Sequence, residues 1–183
     1  MTTDSLSNKE LPAHLLIGPE VYLLSNLLQQ KGWMLATAES CTGGMIAAAC
    51  TDLAGSSNWF ERGFVTYSNQ AKTEMLGVDA ALIAAHGAVS EPVARAMATG
   101  ALSRSKAQMA VAVTGVAGPT GGTRSKPVGT VWFCFARPAS ADLLISEVCR
   151  FEGDRAAVRT ATVQHALKRL VALLQQSPGL EGQ

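Results

Sequence analysis

Trp33-Met34-Leu35-Ala36-Thr37 is short and apolar, Ala38-Glu39-Ser40-Cys41-Thr42-Gly43-Gly44 is made of small and polar residues, and Met45 to Leu53 is rich in alanine. An apolar run of that length reads as a strand, paired glycines mark a tight turn, and the alanines that follow favour helix. The stretch therefore predicts strand, small-residue turn and buried helix in direct succession, which is the unit of an α/β fold.

Flanking segments continue the pattern. On the N-terminal side, Gly18-Pro19-Glu20 opens a helix with Val21, Leu24, Leu27 and Leu28 on one face and Gly32 as its stop. On the C-terminal side, Phe60 to Tyr67 is a second strand, and Ser68 or Asn69 caps a helix to Met75 that Gly77 ends. Ser90-Glu91-Pro92 starts another helix ending near Ser105, and Met109 to Thr114 is a third strand. Val128 to Phe135 and Leu143 to Val148 read as neighbouring strands joined by a turn around Pro138, and Asp154 caps a last helix through about Leu174. Helices alternate with strands early and strands follow one another late. That order predicts a three-layer α/β/α sandwich around a mixed β-sheet, parallel first and antiparallel later. With no internal repeat, one domain is expected over 15–176, between a flexible N-terminal tail at 1–14 and a C-terminal tail at 177–183.

Composition narrows the function classes. The chain is 48% hydrophobic and 16% charged, enough apolar surface for a packed core and too little charge for a disordered segment. A net charge of +1 with scattered basic residues does not suit a nucleic-acid groove. No run reaches the ~20 apolar residues of a membrane span, and Met1 to Glu10 lacks the pattern of a signal peptide, so a cytoplasmic protein is expected. Cys41, Cys50, Cys134 and Cys149 form no CxxC pair, so neither a zinc site nor disulfides are expected.

Chemistry concentrates in three places. A serine between a strand and a glycine-flanked helix sits where free N–H groups and the helix dipole favour an oxyanion. Ser40 or Thr42 can equally be a helix cap, and Cys41, as a thiolate, is an alternative nucleophile. None of His14, His86 and His165 lies beside an obvious orienting carboxylate, so a buried lysine is the other base to consider. Lys72 follows the second strand, with Tyr67 five residues before it, able to orient it or relay a proton. Thr114 to Thr123, with Gly115, Gly118, Gly121 and Gly122, can turn several N–H groups toward one anion without spelling a P-loop. Arg155 or Arg159, at the start of the last helix, can clamp a phosphate or pair on the surface.

Taken in order, seven blocks resemble one family. They are Ala38 to Gly44, Gly55-Ser56-Ser57, Gly63 to Asn69 with Lys72, His86 to Ser90, Ala112 to Pro119, Lys126 to Val131 and Gly153-Asp154-Arg155. The chain is similar, from about Leu15 to Leu174, to the CinA C-terminal domain family and its stand-alone PncC-type nicotinamide-nucleotide amidohydrolases. The resemblance implies hydrolysis of the carboxamide of nicotinamide mononucleotide to nicotinic acid mononucleotide and ammonia, without metal or cofactor. By position it makes Ser40 the nucleophile, with Tyr67 and Lys72 beside it. Cys41, Thr42, Gly43, Gly44, Thr114, Gly115, Gly118 and Arg155 become the substrate-contacting set. Thr120 stands where the family more often has glycine, and a backbone needing positive φ there would strain it. A homo-oligomer is the expected assembly for such a compact domain, and a nucleotide-binding module without turnover is the rival reading from another class.

Overall fold

Residues 18–137 and 144–176 are described by the structure, a computed structural model. The expected tails, His14 and the turn around Pro138 lie outside the described residues. Six helices, α1 (Pro19–Lys31), α2 (Met45–Thr51), α3 (Asn69–Leu76), α4 (Ala80–His86), α5 (Glu91–Ser103) and α6 (Arg155–Gln176), surround five strands. The strands are β1 (Leu35–Glu39), β2 (Phe60–Val65), β3 (Met109–Gly115), β4 (Thr130–Ala136) and β5 (Leu144–Arg150), in the order β2-β1-β3-β4-β5. β1 pairs in parallel with β2 and β3, whereas β4 runs antiparallel to both β3 and β5. The mixed sheet and its change of sense follow the order of elements read from the sequence.

Strand alternation divides the core into two layers. Leu35, Met109, Val111, Val113, Val131, Phe133 and Phe135 meet the helices α1, α2 and α6. Ala36, Ala38, Ala110, Ala112 and Cys134 meet the helices of the other face, chiefly α5. Alanines on that face let α5 sit low on the sheet through its own Ala94, Ala98 and Ala101. All five residues of β1 are buried, as a central parallel strand covered on both faces must be.

Boundaries moved where local propensity competes with pairing. β1 starts two residues later than Trp33 and runs through Glu39, because two neighbouring strands hold alanine and glutamate extended against their weak strand preference. β2 stops at Val65, leaving Thr66 and Tyr67 in the following loop, and β4 begins at Thr130 after the left-handed Gly129. The helix α4 carries no readable periodicity. Asp79 starts it, accepting the Ala81 N–H at 2.8 Å, and it ends at His86-Gly87. Pro19, Gly32, Ser68, Gly77 and Asp154 start or end their helices as expected, with Ser68 Oγ accepting from Ala71 and Asp154 from Ala157.

Helix α5 crosses the end of α3 at Gly100, where a Cβ would press into the Leu76 carbonyl oxygen. Alanine there would gain about 1 kcal/mol of helix propensity, but overpacking against backbone costs about 1–3 kcal/mol. The clash is expected to win. Gly100→Ala should lower the urea midpoint at an unchanged slope, a net loss of stability of up to about 2 kcal/mol; an unchanged or higher midpoint would show that α3 yields freely.

Candidate active site

Parallel pairing of β1 with both neighbours brings three loops out side by side at one sheet edge, where ligand sites of open α/β sheets collect. They follow β2 at Thr66–Ser68, β1 at Ser40–Gly44 and β3 at Val116–Gly118. The alternation of β1 continues into its loop. Ala36 and Ala38 face the α5 side, and Ser40 turns to the same side toward α3; Cys41, like Leu35, belongs to the opposite core layer. Neighbouring candidates for the nucleophile thus point to opposite faces of the sheet.

Lys72, in the first turns of α3, meets Ser40 from above. Its Nζ lies 3.0 Å from Ser40 Oγ, 2.9 Å from the Thr66 carbonyl and 3.4 Å from the Tyr67 carbonyl. The side chain is 1% exposed, Ser40 is 9% exposed, and among the described residues no carboxylate pairs with the amine. Burial disfavours the charged form and holds the ammonium below the ordinary lysine value of 10.5, against a smaller upward pull from Cys41. An amine that loses its proton has two N–H groups for the two carbonyls and one lone pair left for Ser40. That is the geometry of a general base.

Cys41 is a different kind of group. Burial pushes its thiol up to about 11, the nearby Glu39 charge pushes the same way, and the Cys41 and Thr42 N–H groups with Arg159 only partly oppose them. It is a neutral core thiol at neutral pH. The two described histidines are engaged elsewhere: His165 lies 2.6 Å from Glu147 and packs on Phe133, while His86 closes α4.

Sequence reasoning missed Glu39. Its side chain is fully buried, with Oε1 accepting from Thr37 Oγ1 at 3.1 Å and the Ala47 N–H at 2.8 Å. Oε2 accepts from Thr42 Oγ1 at 2.7 Å and from the N–H groups of Ile46 and Gly44 at 2.9 and 3.1 Å. This carboxylate, rather than a serine or threonine at the N-cap, caps α2, so the first N–H groups of the helix are not open to an oxyanion. Gly43 N–H is also engaged, by the Ser40 carbonyl at 3.1 Å. The Cys41 and Thr42 N–H groups are in neither set. A glutamate four residues before the first glycine was the available signal, but it read as part of the turn.

On the far side of the Ser40 turn, an open pocket of about 610 Å³ lies between Pro119, Val128 and the first turn of α6, with Arg155 and Arg159 on its wall. Arg159 Nη2 donates to the Thr42 carbonyl at 2.8 Å, tying this pocket to the turn, while its Nε is buried without an acceptor. Arg155 donates to the Gly118 carbonyl at 3.0 Å and to the Tyr67 hydroxyl at 2.9 Å. The phenol of Tyr67, 61% exposed, therefore sits on Arg155 and away from Lys72, which meets only the Tyr67 carbonyl. Thr114 is turned inward, donating to the Ala88 carbonyl at 2.9 Å. Gly115 and Gly118 leave room for Val131 and Val128, which a Cβ would strike. Thr120 is unstrained, because positive φ in this loop falls on Gly118 and Gly121 and on no non-glycine residue described. Among the described residues no three His, Cys, Asp or Glu side chains group to hold a metal ion, and no helix is long and apolar enough to cross a membrane.

Known proteins share this arrangement of fold and sequence. An Escherichia coli K12 protein named nicotinamide-nucleotide amidohydrolase PncC is 54% identical over 143 residues, which cover 78% of this chain and 86% of that protein. A putative competence-damage inducible protein of Symbiobacterium thermophilum is also 54% identical, but the match covers 79% of this chain and only 35% of that longer protein. The crystal structure of a competence/damage inducible protein from Agrobacterium tumefaciens superposes with a TM-score of 0.80 at 45% identity, covering 87% of this chain and 97% of that one. A CinA superfamily protein of Escherichia coli gives 0.81 at 37% identity, covering 90% and 94%. The model of the CinA C-terminal domain matches residues 21–174, and the chain belongs to that family.

Proposed function

We propose that this protein is an amidohydrolase of nicotinamide mononucleotide, yielding nicotinic acid mononucleotide and ammonia through an ester on Ser40. The observation that carries this reading is the buried Lys72 amine 3.0 Å from Ser40 Oγ, with no carboxylate among the described residues to keep it charged. A module that only bound nucleotide would have no need to bury a lysine against a serine, at the desolvation cost this entails. The name of the Escherichia coli relative supplies the substrate.

Neutral Lys72 takes the Ser40 proton as Oγ adds to the carboxamide carbon. The Cys41 and Thr42 N–H groups meet the oxyanion, worth about 3 kcal/mol for each well-placed donor. Collapse expels ammonia with the proton returned by Lys72, and water then attacks the ester with Lys72 again as base. Lys72 does this without a histidine, and the Thr66 and Tyr67 carbonyls steady the ammonium at each proton transfer. Tyr67 serves at the rim through its hydroxyl on Arg155 rather than as a proton relay. The phosphate is assigned to the α6 pocket, where Arg159 has an unengaged donor and Arg155 can exchange two neutral acceptors for an anion.

Three outcomes test these assignments. Ser40→Ala should lower ammonia release from nicotinamide mononucleotide by about 10⁴-fold or more while the substrate still raises the melting temperature; retained release removes Ser40 as nucleophile. The rate should climb with pH as Lys72 loses its proton, levelling off below 10.5. Unfolded Lys72 holds its proton to higher pH than folded Lys72, so stability should also rise with pH across that window, and Lys72→Met should abolish both dependences. An unchanged pH–rate profile in Lys72→Met excludes it as the base. For the pocket, Arg159→Met should raise KM for the mononucleotide about 10- to 100-fold, the worth of a charged hydrogen bond, and leave turnover of the phosphate-free riboside alone. Equal effects on both substrates would place the phosphate elsewhere.

A further inference from the structure

Thr42 is gripped from two sides. Its hydroxyl donates to the buried Glu39 carboxylate at 2.7 Å, and its carbonyl accepts from Arg159 at 2.8 Å. Glu39 is in turn immobile. It ends a strand paired on both edges, and the N–H groups of Gly44, just before α2, and of Ile46 and Ala47 within it, which can only donate, hold its two oxygens. The turn of Ser40, Cys41 and Thr42 therefore hangs between two fixed points, Glu39 below and Arg159 at the pocket.

We propose that Glu39 is a positioning residue of the hydrolysis: its carboxylate fixes Thr42, and through Thr42 the turn, so that Ser40 Oγ meets Lys72 while the Cys41 and Thr42 N–H groups stay available for the oxyanion. This rests on the amidase reading of the site. Two features separate it from a role in folding alone. Glu39 takes up the helix donors that would otherwise compete as an anion site, so charge developing on the substrate is directed to the turn and not to α2. It also places a negative charge beside Cys41, opposing thiolate formation next to the intended nucleophile.

A pair of isosteric variants provides the test, because two threonine hydroxyls donate to the same carboxylate from opposite sides. Thr37 approaches Oε1 from the strand and Thr42 approaches Oε2 from the turn. Each hydroxyl is replaced by a methyl in Thr37→Val and Thr42→Val, and the charge and helix contacts of Glu39 remain. Steady-state kinetics are measured well below each melting temperature, on protein shown to be folded. Thr42→Val is expected to lower kcat about 10-fold, and Glu39→Gln about 100-fold, the scale of a small misplacement of reacting groups. KM should stay within about threefold in both, and Thr37→Val should keep kcat within about twofold, on the same scale of misplacement. Equal kcat in the two valine variants overturns the proposal, as does a fall in kcat that only follows the fraction folded. If Glu39→Gln does not fold, the valine pair still decides. Wild type and Ser40→Ala run alongside: deamidation that survives Ser40→Ala overturns the amidase reading, whereas deamidation lost there but kept in Glu39→Gln and Thr42→Val overturns only the role of Glu39.

Discussion

The structure depends on the position of β1, paired in parallel on both edges and buried on both faces. Such a strand has no solvent-facing residue, so every side chain must be small, apolar or internally bonded. Leu35, Ala36 and Ala38 meet the demand by size, and Thr37 and Glu39 meet it by bonding each other and α2. The same constraint orders the chemistry, since residues that follow a rigid strand inherit its alternation. Ser40 goes to the face that α3 covers and Cys41 to the face of α1 and α6. A one-residue slip would exchange them.

A second constraint comes from burying an amine. Lysine is seldom held below 2% exposure without a carboxylate, because the charged form loses its hydration. Here the three directions around Nζ are met by two main-chain carbonyls and one hydroxyl, all neutral. A carboxylate in place of either carbonyl would make the group more comfortable and raise its pKa, at the expense of the uncharged fraction able to accept a proton. Neutral acceptors that orient the amine without charging it suit proton transfer better than they suit stability.

Much of this was legible in the sequence because it is local. Pro19, Gly32, Ser68, Gly77 and Asp154 announce their helices through chemistry confined to a few residues, and the ordering of helices and strands fixes the mixed sheet. Ser40 and Lys72 could be named from the resemblance, but they are 32 positions apart, with α2 and β2 between them. Only the adjacency of β1 and β2 makes 3.0 Å between them. Glu39 was illegible for the opposite reason. Its five partners include residues two to eight positions away, yet it reads as a turn residue because glutamate is a poor strand former, and pairing on both edges overrides that preference. Arg155 and Arg159 are four residues apart on one helix and look interchangeable in sequence. Their difference, one bridging Tyr67 to Gly118 and the other reaching Thr42, arises entirely from which loop each meets.

The placement of charge in the site follows from these pieces. A helix N-terminus after a glycine pair is ordinarily open to anions, but Glu39 occupies that of α2 with its own carboxylate, enclosed in protein. An anionic substrate therefore gains nothing by approaching α2 from beneath the turn and is repelled if it does. Across the turn, the first helical turn of α6 carries two guanidinium groups facing an open pocket. Negative charge below Ser40 and positive charge at the rim give the turn a fixed electrical direction. On the proposed reading, a substrate anchored by its phosphate at the rim leaves its carboxamide for the dry surface shared by Ser40 and Lys72. On that reading the division keeps the phosphate charge away from the buried lysine.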